Sequence, residues 1–214
     1  MNSLDIKINE IKSNLMNENI KAIRKSKLKV IKSEDIKNIR LEDRNLLEEY
    51  NYYVKLLKKI KKYINKNKDL LTILNVENDK IGKIIYIVVT INIKEISIGI
   101  PIELRIITGD TNDTYMDCTY YKIKDESRLY INDFKSTRPN QGYGGILLKN
   151  LDNIVNEANK YLRIYKFKDI KIIEGHLVAN KNIISESDLK DMYAKYGFEI
   201  DSKNNMKRKV YNIN

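Results

Sequence analysis

The hydrophobic period of this chain first changes near residue 80, and that change points to a fold that opens with helices and continues into a sheet. Before it, apolar residues recur every three, four or seven positions: Leu4, Ile8, Ile11 and Leu15, then Ile36, Ile39, Leu46, Tyr50, Tyr53, Leu57, Ile60 and Ile64. Such spacing lines one face of an α-helix. Ser3 and Ser33 stand where N-caps belong, and Glu34 and Asp35 suit the positive end of the second helix. Asp43 interrupts the second stripe, so packing against the same chain is expected rather than a sustained coiled coil. From about Ile81 the apolar runs shorten and fill with Ile, Val, Thr and Tyr: Ile84 to Ile93, Ile96 to Ile107, Tyr115 to Ile123 and Leu129 to Phe134. With Thr108 to Asp113 as a turn, these read as antiparallel strands and hairpins. A helix follows from Gly144, its apolar face carrying Leu147, Leu151, Ile154, Val155, Ala158 and Leu162. A strand from Ile170 to Val178, a helix from Glu186 to Tyr196 and a closing hairpin, Phe198 to Ile200 with Lys207 to Tyr211, complete an α+β order. The expected division is a helical, basic extension over 1–75 and a main domain over 76–214.

Composition narrows the function classes. A length of 214 residues suits one main core plus an extension. No stretch approaches the ~18 apolar residues of a membrane span, and the start lacks a secretory pattern, so a cytoplasmic protein with no membrane partner is expected. One cysteine and one histidine leave no Cys/His zinc site within the chain, and no metal is expected. The net charge is +11, and residues 1–75 hold 18 Lys plus Arg against 10 Asp plus Glu. That surplus keeps a nucleic-acid partner open as an alternative, although a source rich in Lys, Asn and Ile accounts for much of it. The seven lysines from Lys55 to Lys68 read as a solvated face whose stems cover apolar surface.

Four of the eight glycines are Gly142, Gly144, Gly145 and Gly197, so in a glycine-poor chain their placement is informative. Three of them lie between a strand end and a helix start. There the outward N–H groups and the helix dipole can hold a diphosphate by backbone alone, with no side chain to obstruct it. An ordinary turn before a helix explains the same residues. The spacing fits neither a Rossmann fingerprint nor a P-loop.

Leu129 to Phe134, then Asn140-Gln141-Gly142-Tyr143-Gly144-Gly145-Ile146-Leu147-Leu148, resembles the acetyl-CoA signature of GNAT N-acetyltransferases. Met192-Tyr193-Ala194-Lys195-Tyr196-Gly197-Phe198 looks like their second motif. The resemblance covers about Ile81 to Val210. It implies a GNAT-like mixed, mostly antiparallel sheet with flanking helices, and direct acetyl transfer from acetyl-CoA to a primary amine of a small molecule or protein. It further implies that coenzyme A lies against Phe134, Lys135, Arg138, Gln141, Gly142, Tyr143, Gly144 and Gly145, and that Tyr193 protonates the departing thiolate. Pro139 stands where the family usually has Arg or Gln, and the loop from Val178 to Asp188 is longer than in compact members. A silent acyl-CoA-binding module is the alternative on the same fold, as monomer or homodimer.

Amine acetylation needs a proton acceptor. Asp133 and Glu174 are the acidic residues best placed for it, with turn-binding and solvent-facing roles as the alternatives. On the strand holding Glu174, Ile172 and His176 share its face while Ile173, Gly175 and Leu177 take the other. Tyr193 reads equally as a core residue, and Cys118 as a small buried one.

Overall fold

The computed structural model describes residues 41–94, 99–110, 114–123, 125–136, 142–180 and 184–211. The expected first helix, the Ser33 cap, Arg138 and Gln141 lie outside the described residues. The chain divides into two compact units, Met1–Lys55 and Leu56–Asn214. Helix α1, Leu41–Lys66, begins in the first and ends in the second. Of the first unit only the opening of that helix is described.

The second unit is a mixed α+β structure on one eight-stranded sheet. Its strands are β1 Leu71–Asn78, β2 Ile84–Ile91, β3 Ile100–Ile107, β4 Thr114–Ile123, β5 Glu126–Lys135, β6 Ile172–His176, β7 Glu199–Ile200 and β8 Asn205–Lys209. Their spatial order is β1-β2-β3-β4-β5-β6-β8-β7. Every pairing is antiparallel except β5 with β6. Between those two the chain crosses through helix α2, Tyr143–Ile164, as a parallel pair requires. Helix α3, Glu186–Lys195, connects β6 to β7.

One expectation fails at the start of the sheet. Residues 71–75 belong to strand β1, not to a helical extension reaching residue 75. Asn67 to Asp69 form the turn that ends α1, and the following Leu-Thr-Ile-Leu-Asn-Val favours an extended strand, which pairs with β2 from Leu71↔Ile91 to Asn78↔Ile84.

The main core lies between one face of the sheet and helices α2 and α3. Ile85, Ile87, Leu104, Ile106, Met116, Leu129 and Ile131 meet the α2 stripe of Leu147, Leu151, Ile154, Val155, Ala158 and Leu162, as the period demands. Asn159 fixes the crossover: its amide donates to the Ile170 carbonyl at 3.2 Å and accepts from the Ile170 N–H at 2.7 Å. The end of α1 covers the opposite face over β2 and β3, with Leu56 and Ile60 buried. Here the expected stripe is rotated by one position, since Leu57 and Ile64 are half-buried and Tyr50 is 43% exposed. Lys59 donates to the carbonyls of Thr108 and Asp110, and Arg105 stacks over the Tyr63 ring at 5.6 Å, which fixes the helix in that rotation. Lys58, Lys61, Lys62, Lys66 and Lys68 point to solvent as the charge pattern predicts. Among the described residues, no helix is long and apolar enough to cross a membrane.

Candidate functional site

The sheet is interrupted where β5 and β6 cease to pair. Their parallel register runs from Arg128↔Ile172 to Ile131↔Gly175 and no further, although β5 continues to Lys135. At the same place the β4–β5 register shifts, because Cys118 faces Ile131 while Asp117 faces Asp133. Asn132 is the extra residue, so the strand contains a bulge that re-aims everything after it. Asn132 and Asp133 are both exposed, and Phe134 turns back to pack against the core. Beyond the junction a cleft of about 900 Å³ opens between the end of β5, the end of β6, the start of α2 and the inner side of α3. That volume lies within the usual range of small-molecule sites.

The start of α2 forms one wall. Gly142 is the N-cap residue, at φ 80°, and no side chain caps the helix. Ile146 makes the first intrahelical bond, to the Gly142 carbonyl at 2.9 Å, so the amides of Gly144 and Gly145 have no acceptor within the helix. The first turn holds no acidic residue. A Cβ on Gly144 would lie 3.2 Å from Phe134 Cζ, and one on Gly145 would lie 2.6 Å from the Tyr196 hydroxyl. Of the residues expected to touch coenzyme A, Phe134, Lys135, Gly142, Gly144 and Gly145 line this cleft. Tyr143 does not contribute its ring, which is 6% exposed in the core, because the first residue of the helix faces the sheet.

The opposite wall explains the second motif through helix termination. Tyr196 is the C-cap of α3, and Gly197 follows at φ 79°. The Gly197 N–H bonds to the Ala194 carbonyl at 2.9 Å and the Phe198 N–H to the Tyr193 carbonyl at 3.3 Å. This is a Schellman stop, and the apolar contact that accompanies it is Tyr193 against Phe198, with ring centroids 5.4 Å apart at 89°. Phe134 closes on the same ring at 6.4 Å. Tyr193 is only 4% exposed and is among the residues that line the cleft. Burial pushes its pKa well above that of an ordinary tyrosine, with smaller contributions from Cys118 and Asp133. Cys118 itself is buried at the core face, where desolvation raises its thiol far out of the nucleophilic range.

The two carboxylates proposed as proton acceptors differ in their surroundings. Glu174 is held on both oxygens, by Arg128 at 2.8 Å and by the Tyr121 hydroxyl. That phenol is pushed up to about 12, first by burial and then by the Glu174 carboxylate. Asp133 is exposed and lines the cleft. It accepts only from the Tyr115 hydroxyl, at 3.0 Å on Oδ2. The expected strand alternation holds: Ile173, Gly175 and Leu177 face the core, and Glu174 and His176 do not. His176 is exposed, borders the cleft and meets Asn205 Oδ1 at 3.2 Å.

Lys80 is the cleft residue that sequence reasoning missed. It sits on the β1–β2 turn, with its side chain across Gly142. No local pattern marks it, because three successive strand registers are needed to bring that turn to the same end of the sheet as Lys135.

No family model matches this chain, and no curated protein matches its sequence. Among solved structures, the crystal structure of the anti-CRISPR protein AcrVA5 is similar over 44% of this chain and 88% of that one, at 19% identity and a TM-score of 0.31. A superposition this loose assigns neither fold nor function. Among the described residues, no group of three or more His, Cys, Asp or Glu is gathered to hold a metal.

Proposed function

We propose that the Leu56–Asn214 unit is a GNAT-type N-acetyltransferase, which moves an acetyl group from acetyl-CoA to a primary amine by direct transfer. The observation that carries this reading is the Tyr193 hydroxyl. Its ring serves to stop a helix and fill the core, which phenylalanine would do equally well. The hydroxyl serves neither purpose, and Tyr193 lines the cleft. It is available there to a group entering from solvent.

The residues present fit acetyl-CoA. The uncapped amides of Gly144 and Gly145 suit its pyrophosphate, and the edge of β5 that β6 leaves unpaired suits the amides of its pantetheine arm. When bound, the thioester supplies an activated acetyl group. The chain itself supplies orientation and proton management. Tyr193, with its pKa raised, is a weaker acid than a thiol of about 8.5. It therefore stabilises the departing sulfur by donating a hydrogen bond rather than by surrendering its proton. Asp133, with one oxygen open, is better suited than the doubly held Glu174 to take a proton from the acceptor ammonium, directly or through water. The buried Cys118 argues against a covalent acyl-enzyme.

The test is thermal. At about 100 times its Kd, acetyl-CoA should stabilise the protein by about 2.7 kcal/mol, and Gly144→Glu should abolish the effect by obstructing the helix start. No shift with acetyl-CoA would overturn the proposal. Turnover on a panel of amines separates enzyme from silent binding module. There, Tyr193→Phe should lower kcat roughly 100-fold with little change in KM, and an unchanged rate would remove Tyr193 from the mechanism.

A further inference from the structure

We infer that the chain holds an acceptor of its own in the cleft: Lys135 takes an acetyl group from acetyl-CoA bound to the same molecule and becomes an acetylated lysine. The inference rests on the function proposed above and names one acceptor for that site. Lys135 is the last residue of β5, exposed and among the residues that line the cleft. It shares a face with Asp133, because the pairing with β4 runs without interruption from Asp117↔Asp133 to Tyr115↔Lys135 and residues two apart on a strand point the same way. Two residues of extended strand separate their Cα atoms by about 6.7 Å. A flexible four-carbon stem spans that distance, so the ammonium can reach the carboxylate beside it. Phe134, between them, packs against the core and fixes the strand that bears both.

Asp133 is held ready for that encounter. The Tyr115 hydroxyl donates to its Oδ2 at 3.0 Å, and Arg105 lies over the Tyr115 ring at 5.5 Å, so the carboxylate is steadied from β4 while it stays exposed at the cleft. Lys80, the other lysine that lines the cleft, belongs to a different wall, where its stem lies across Gly142 at the start of α2. The step balances with the groups already named. The Lys135 nitrogen gives one proton to Asp133 and its lone pair to the acetyl carbon, the C–S bond breaks with its electron pair left on sulfur, and a second nitrogen proton leaves with that sulfur as the thiol. Lys135 loses its charge, and the amide formed does not pass the acetyl group on. A nucleophile tethered inside the cleft avoids the entropy cost of bringing an acceptor from solution.

Peptide mass mapping of the full chain after incubation with acetyl-CoA tests this, with the effect of acetyl-CoA on Tm measured alongside as a readout of binding. Lys135 should be acetylated roughly 100-fold faster than Lys61 and Lys62, which are exposed on α1. Its rate constant should not change when the protein is diluted. Asp133→Asn should slow acetylation of Lys135 roughly 100-fold and leave Lys61 and Lys62 as they were. Lys135 modified no faster than Lys61, a rate that rises with protein concentration, or an unaltered rate in Asp133→Asn each overturns the inference. Turnover of free amines with Lys135 unmodified also overturns it and leaves the proposed function standing. A wild-type protein whose Tm does not respond to acetyl-CoA overturns both readings together.

Discussion

At the scale of single residues, one side chain answers to two separate constraints. The Tyr193 ring belongs to the helix stop and the core, while its hydroxyl belongs to the cleft. The sequence motif conveys the first constraint by itself, because an aromatic residue four before a glycine and five before a phenylalanine is what a Schellman stop with its apolar contact looks like. The second was invisible, since whether a hydroxyl finds a partner depends on residues far away in the chain. Asp117 shows the same dependence. It faces Asp133 across the β4–β5 pair, and burial, then Glu103, then Asp133 raise its pKa, against the opposing pull of Arg105. A carboxyl whose folded pKa is raised favours the fold below its unfolded value of about 3.9 and disfavours it as pH rises through the folded one. Asp117→Asn should therefore raise Tm at pH 7, and melting curves across pH should show the gain vanish below about pH 4.

At the scale of elements, most boundaries were legible because each rests on a local period. The α2 stripe and the alternation in β6 lie where spacing places them, and the closing hairpin forms with its last strand at Asn205–Lys209, two residues before the expected Lys207 to Tyr211. Three features escaped. Strand β1 was absorbed into the helical extension because the expected stripe ends at Ile64 and the strands were expected only from about Ile81, and only pairing with β2 places Leu71–Asn78 in the sheet. The rotation of α1 depends on Lys59 and Tyr63 finding partners on the sheet. The bulge at Asn132 adds one residue to a strand without altering its composition, and no periodicity argument detects that. Gly197 offers the cleanest test at this scale. Its φ is 79° and a Cβ would meet nothing within 4 Å, so alanine is opposed by backbone strain alone. Gly197→Ala should cost about 1–2 kcal/mol in chemical denaturation and loosen the end of α3 that orients Tyr193.

At the scale of the whole unit, the two sides of the interrupted sheet are tied together behind the cleft. Arg208 of β8 is 6% exposed, lies over the Phe198 ring at 5.2 Å and donates to Asp152 of α2 at 2.9 Å. Its Nε and Nη2 have no partner, so Asp152 alone compensates a buried charge. Asp152→Ala should destabilise the unit by about 3–5 kcal/mol in urea unfolding, while Arg208→Met with Asp152→Ala should recover much of that loss. The candidate site was legible wherever it draws on contiguous sequence, as at Gly142 to Gly145 and Tyr193 to Phe198. It was illegible at Lys80, which reaches the cleft only through the accumulated register of β2, β3, β4 and β5.

The parallel junction of β5 and β6 also affects the order in which the unit is assembled. Strands β1 to β5 form a meander in which each pairs with its neighbour in sequence, so their contacts close short loops. Strand β6 can join only after the chain has passed through all of α2, a closure that carries a larger entropy cost. The walls of the cleft therefore come together late in folding. Contacts absent from the transition state act on the unfolding rate, so a molecule seated in the cleft would protect the fold mainly by slowing its loss.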